Sequence, residues 1–250
     1  MTLRVLDLFS GIGGFSLGLE RAGWSTVAFC ENHPKRQAWL RGLWPGVPVH
    51  GDIRKLSGPD VGPVELICGG FPCQPFSGSG ERLGAEDDRY LWPEYRRLVE
   101  ELRPDWVLGE NVVGIVDMAL DDVLTDLEGL GYTTRAFDIP ASALGAPHER
   151  RRIWIVANAN GKRRPEVALQ DFTLDGIGQD QGWASINAGP LVGACSWQDW
   201  EEQSGIRLLV DGVPEGLALC EAAGNAIIPH FAELFGRAMM NCPSSRSNAE

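Results

Sequence analysis

The chain has 250 residues, 44% of them hydrophobic and 22% charged, which suits one large globular domain or one domain with a small insert. No apolar run approaches the roughly 20 residues of a membrane span, and the N-terminus MTLRVLDLF lacks the features of a secretory signal, so a cytoplasmic protein is expected. A net charge of −12 argues, taken alone, against a nucleic-acid partner, and six cysteines without a CxxC pair beside four scattered histidines argue against a zinc site, so no metal is expected and reduced thiols fit best.

LRVLDLF (3–9) reads as a buried strand, followed by SGIGG and a helix with Phe15, Leu19 and Ala22 on one face. TVAFCE (26–31) is a second strand. PKRQAWLRGLW (34–44) is a helix with proline at its start, where no N–H is needed. VPVHGDI (47–53) and VELICGG (64–70) are the third and fourth strands. Tyr95, Leu98, Val99 and Leu102 have helical spacing, as do Leu120, Val123, Leu124 and Leu127. DWVLGEN (105–111), YTTRAFDI (132–139) and RIWIVA (152–157) complete the strands.

Alternation of this kind predicts an α/β fold, a doubly wound, mostly parallel sheet with helices on both faces. The first unit is expected over 1–157. Residues 158–223, rich in Gly, Asn, Gln and Asp with Trp183, Trp197 and Trp200, read as a small irregular region or long insertion. Residues 224–240 return to regular structure, with a helix from Pro229, and 241–250 form a tail. Basic residues cluster at 35–36, 96–97, 149–152 and 162–164, so an acidic protein can still present a basic face.

Ligands of doubly wound sheets bind beyond the carboxyl ends of the strands. DLFSGIGG (7–14) is a strand, a glycine turn and a helix start, although its glycines do not fit GxGxxG. Glu31 closes the second strand, where a carboxylate can accept both hydroxyls of a ribose, and Asp52 closes the third, within reach of an adenine amino group. The fourth strand delivers Cys73, in GGFPCQPFS, to the same edge. The fifth delivers Glu110. Arg150 and Arg152, two apart, share one face of an extended segment. A thiol, a carboxylate and two guanidiniums at one rim make a nucleophile, its hydrogen-bonding partner and charge stabilisers.

These residues, in this order, closely resemble the DNA (cytosine-5) methyltransferases of bacterial and phage type. GGFPCQPFS looks like the nucleophile loop, ENV (110–112) the cytosine-binding motif, HERRR (148–152) the arginine motif and GNAIIP (224–229) the last motif. The resemblance covers residues 3–157 and 224–240. It implies a Rossmann-like fold and S-adenosyl-L-methionine as cofactor, contacted by Phe9, Ser10, Gly11, Gly13, Gly14, Glu31, Asn32, Asp52, Ile53, Pro72, Leu91 and Asn225, with Phe9 stacking on the adenine. It implies Cys73, Glu110, Arg150 and Arg152 as the catalytic set, residues 158–223 as a short target-recognition region, and a monomer acting on double-stranded DNA, with a cognate restriction endonuclease an open partner. His148 stands where the family usually has glutamine, and His230 follows the proline where glutamine often does. An RNA cytosine-5 methyltransferase acting on tRNA and a catalytically silent DNA-binding relative are the alternatives. A nicotinamide-dependent dehydrogenase is disfavoured by the glycine spacing and by FPCQPFS.

Overall fold

In the computed structural model, which describes residues 2–72, 90–144, 150–159 and 227–241, seven strands form one sheet. They are β1 (Leu3–Leu8), β2 (Trp24–Cys30), β3 (Val49–His50), β4 (Leu66–Gly69), β5 (Trp106–Val112), β6 (Thr133–Pro140) and β7 (Arg151–Asn158). Their order in space is β3-β2-β1-β4-β5-β7-β6. The helices are α1 (Gly14–Arg21), α2 (Pro34–Leu43), the single turn α3 (Gly58–Val61), α4 (Trp92–Leu102), α5 (Leu120–Gly129) and α6 (Pro229–Asn241). None of the described helices is long and apolar enough to cross a membrane.

Strand alternation sends successive side chains to opposite faces, and both faces are covered. Leu6, Leu8, Ile67, Val107, Ile153 and Ile155 pack with Tyr95, Leu98 and Val99 of α4 and Val123 and Leu127 of α5. Val5, Leu66, Cys68, Leu108, Trp154 and Val156 pack with Phe15 and Leu19 of α1 and Phe231, Ala232 and Phe235 of α6. The helical spacings read from the sequence fall on these buried stripes. Burial on both sides explains why β4, LICG, reads as a continuous apolar run.

The sheet is mostly parallel, as expected, and the expected length of the third strand needs correction. The sheet is parallel from β3 to β5, but β7 runs antiparallel to both β5 and β6. The link from β6 to β7 is too short for a parallel crossover, which takes about a dozen residues or more, so the chain doubles back through a 3₁₀ turn at Ala141–Leu144. The third strand is far shorter than 47–53. The Pro48 carbonyl accepts from Phe29 N–H, and the His50 carbonyl from Glu31 N–H. The chain then leaves the sheet into a turn in which Lys55 N–H bonds to the Asp52 carbonyl.

The reversal of β7 has a functional consequence. It places the start of β7, not its end, at the carboxyl edge of β5, with Trp154 opposite Glu110 and Arg152 opposite Val112.

Candidate active site at the carboxyl edge of the sheet

The loop from β1 to α1 is unusual. Phe9, Gly11 and Gly13 all have positive φ, at 52°, 58° and 86°. For Phe9 this conformation costs on the order of 1–3 kcal/mol and needs support from its surroundings. Gly13 N–H bonds to the Ser10 carbonyl at 2.8 Å, and the Ser10 hydroxyl to the Asp7 carbonyl at 2.6 Å. The buried Glu31 carboxylate, one residue past β2, accepts Gly11 N–H and His33 N–H, both at 2.8 Å. Each oxygen keeps a second acceptor site. Asp7 is fully buried, accepts both Ser16 N–H and the Ser16 hydroxyl, and is pushed up to about 7 by burial against those two bonds.

The four glycines of DLFSGIGGFSLG do different work. A Cβ on Gly11 would meet nothing closer than the Phe9 carbonyl oxygen at 4.0 Å, so this position faces open space. A Cβ on Gly13 would lie 2.5 Å from the Trp44 ring, and one on Gly14 would lie 2.6 Å from the Ile227 carbonyl oxygen. A Cβ on Gly18 would run into the Pro229 carbonyl. Of the four, Gly11 alone has open space where a side chain would begin. The others let Trp44 and α6 come close.

Glu110 is set by alternation on the α1/α6 face of β5, near its end. It is buried, and Arg152 Nε pairs with its Oε1 at 3.0 Å. Arg152 is anchored in turn by donating to the Arg151 carbonyl at 2.8 Å. Burial raises the Glu110 carboxyl above the usual carboxylate range, opposed by the charges of Arg152 and Arg150 and by the Arg152 bond. Arg150 is lowered by burial and by its neighbour Arg152, with Glu110 opposing. The three charged groups line one small hollow of about 10 Å³ with Ile139, Trp154, Ile228 and Phe231 as its apolar walls. A carboxyl biased toward protonation beside two fixed guanidiniums can hold a planar polar ring by donor and acceptor at once.

Residues leading to the predicted nucleophile approach the same place. A Cβ on Gly70 would lie 3.2 Å from Glu110 Oε2. Phe71 is buried against Trp92 and Tyr95, at centroid distances of 5.1 and 6.0 Å. Asn111 Nδ2 donates to the Phe71 carbonyl at 2.9 Å, while its Oδ1 accepts Val112 N–H. Asn111, within ENV, is a site residue that motif reading passed over in favour of its neighbour. Its amide can serve a carbonyl and an N–H together, the signal that could have found it. Tyr95 was also missed as a link. Its hydroxyl reaches the Ile67 and Leu108 carbonyls of adjacent strands, and its ring lies 6.5 Å from that of Phe9.

The remaining predicted residues divide. Asp52 does not end a strand. It sits in the turn after β3, where its carboxylate accepts Arg54 N–H at 3.1 Å. Ile53 is a core residue whose carbonyl receives Arg97. Leu91 precedes α4 and caps its first turn through its carbonyl, and Asn32 is exposed beside Glu31. Pro72 is half-buried. Cys73, His148 and Asn225 lie outside the described residues. Among the described residues no group of His, Cys, Asp and Glu could hold a metal.

The model of the C-5 cytosine-specific DNA methylase family matches residues 3–184, well over half of the chain. The chain therefore belongs to that family. Among curated relatives, the type II methyltransferase M.NgoMIV of Neisseria gonorrhoeae is 36% identical over 64% of this chain and 53% of its own length. M2.BsuMI of Bacillus subtilis is 33% identical over 70% and 47%, and M.AquIA of Picosynechococcus sp. is 34% identical over 65% and 74%. This chain thus spans about half the length of the first two. Among solved structures, a candidate DNA modification methyltransferase from an E. coli prophage is 29% identical with a TM-score of 0.55, over 66% of this chain and 50% of that one. The Spodoptera frugiperda DNMT2 structure, at 24% identity and TM-score 0.57 over 66% and 52%, shares the fold.

Proposed function

We propose that this chain transfers a methyl group from S-adenosyl-L-methionine to C5 of a cytosine in double-stranded DNA, through a covalent bond between Cys73 and C6 of a base rotated out of the duplex. The observation that carries the reading is the buried Glu110–Arg152 pair, set against Gly70 and Phe71 at the start of FPCQPFS.

The residues present fit the cofactor. Gly11 leaves its approach open, Glu31 keeps acceptor sites for a ribose, and the positive end of α1, where Asp7 already takes Ser16 N–H, lies beside them for a carboxylate. Phe9, Ser10, Gly13, Gly14, Asn32, Asp52, Ile53, Pro72, Leu91 and Asn225 belong to the same proposed pocket, by contact or by shaping its wall. When bound, S-adenosyl-L-methionine supplies an electrophilic methyl group.

The chain's own groups would then act as follows. C5 of cytosine is too poor a nucleophile to react unaided. The Cys73 thiolate adds to C6, which loads electron density onto C5. Glu110, whose carboxyl is raised by burial against the pull of the two arginines, donates in its protonated form toward N3 as the adduct forms and accepts from the amino group. Arg152, held in place by Glu110 and the Arg151 carbonyl, and Arg150 beside it stabilise the negative charge that develops. Loss of the C5 proton and departure of the Cys73 sulfur restore the ring. Extrusion of the base costs a few kcal/mol and is shared by enzymes that modify bases. Residues 158–223 belong to this reading as the target-recognition region, the chain acts as a monomer, and the type II name of the relatives supports a partner restriction endonuclease.

The test is transfer of tritiated methyl from S-adenosyl-L-methionine to mixed-sequence duplex DNA and, in parallel, to tRNA. Label in duplex DNA as 5-methylcytosine is expected. Label confined to tRNA would replace the substrate in this proposal with RNA.

A further inference from the structure

We infer that Trp44, outside every motif singled out in the sequence, is a positioning residue of the cofactor site, acting through the glycine loop. The inference rests on the cofactor assignment just proposed. Trp44 follows α2 and touches three elements at once. Its ring packs against Phe29 of β2 at a centroid distance of 5.2 Å. Its indole N–H donates to both carboxylate oxygens of Glu20 on α1, each at 2.9 Å. The far edge of its six-membered ring, Cη2 and Cζ3, occupies the space at 2.5 and 2.6 Å from where a Gly13 side chain would begin.

The loop it touches needs such support. Three of five residues from Phe9 to Gly13 are left-handed, and Phe9 has no glycine's freedom there. On the β2 side, Gly11 is held by Glu31. On the α2 side, Trp44 stops Gly13 from moving outward, with Leu40 Cδ2 3.2 Å from the point where a Gly13 side chain would begin. Gly13 is also the residue before α1, and its carbonyl receives Leu17 N–H. Trp44 therefore fixes where the open position, Gly11, sits relative to the first N–H groups of α1. Those two features must be in register for one ligand to use both.

Two variants of the full chain separate this role from simple packing. Trp44→Phe keeps an aromatic ring for Phe29, but its shorter ring does not reach Gly13 and has no N–H for Glu20. Trp44→Ala removes all three contacts. Calorimetry with S-adenosyl-L-methionine, run well below each variant's melting temperature, should show Trp44→Phe folded and weakened in affinity by roughly tenfold, with Trp44→Ala weaker still. A folded Trp44→Phe with wild-type affinity would overturn the inference. So would loss of the fold in both variants, because Trp44 would then be a packing residue alone. Wild-type protein that binds no S-adenosyl-L-methionine would instead refute the cofactor assignment.

Discussion

Glu110 is the residue in which burial and charge pull hardest against each other. Its surroundings favour the protonated form, and two arginines limit that preference without reversing its direction. If the proton on Glu110 is the one offered to N3, methyl transfer should be full while Glu110 stays protonated. It should fall as pH rises through a value above the ordinary carboxylate range. Glu110→Gln should lower turnover by roughly 10²–10⁴-fold and flatten that limb, with cofactor affinity unchanged; a variant that keeps the wild-type pH profile would show that Glu110 does not carry the proton. The identity of Glu110 was legible from ENV, because strand alternation and a terminal carboxylate suffice to place it. Its partner geometry was not. That Arg152 pairs with it depends on β7 running backward, which only the short link after β6 signals. Asn111 was hidden for a similar reason, since its bond to the Phe71 carbonyl joins residues 40 apart in the chain.

At the scale of elements, the contact between α1 and α6 closes the sheet face behind Glu110. Gly14 and Gly18 on α1 meet the entry to α6, and a Cβ on Gly236 of α6 would lie 2.9 Å from Ala22 Cβ. Trp24 Nε1 donates to the Gly236 carbonyl at 3.0 Å, fastening β2 to the same helix. Sequence reading assigned Gly11, Gly13 and Gly14 to a ligand, and in the structure Gly13, Gly14 and Gly18 also let Trp44 and α6 come close. Glycine needed for a close helix and glycine needed for a close ligand look alike until the neighbour is known. Gly18→Ala should therefore destabilise the fold by about 1–3 kcal/mol through overpacking, seen as a lower denaturant midpoint. An unchanged midpoint would mean that α1 and α6 separate freely. The strands were well placed by their apolar runs except β3, where VPVHGDI alternates like a strand but has a proline and a turn in place of a second paired edge.

For the whole molecule, a charge of −12 must coexist with the polyanionic substrate proposed above. The basic clusters read from the sequence do not all serve that end. Arg97 pairs with Glu94 and Glu101, and Arg96 with Glu100 and Asp126, so the 96–97 pair is spent on the surface of α4. Arg151 pairs with Asp138 on β6. Arg150 and Arg152 lie beside Glu110 in the hollow, where their charge would bear on the proposed base and not on the backbone alone. The doubly wound architecture follows from the order of strands and helices, whereas this division of charge emerges only once distant carboxylates are placed next to each arginine.

The most direct test of the account uses mixed-sequence duplex DNA in which cytosine is replaced by 5-fluorocytosine, incubated with S-adenosyl-L-methionine and the full chain. Fluorine at C5 cannot leave as the proton does, so a Cys73–C6 bond formed during transfer persists. The account predicts a protein–DNA adduct that survives denaturation with the wild type and none with Cys73→Ala. An adduct of equal yield from Cys73→Ala, or no adduct from a wild type that methylates ordinary duplex DNA, would contradict it.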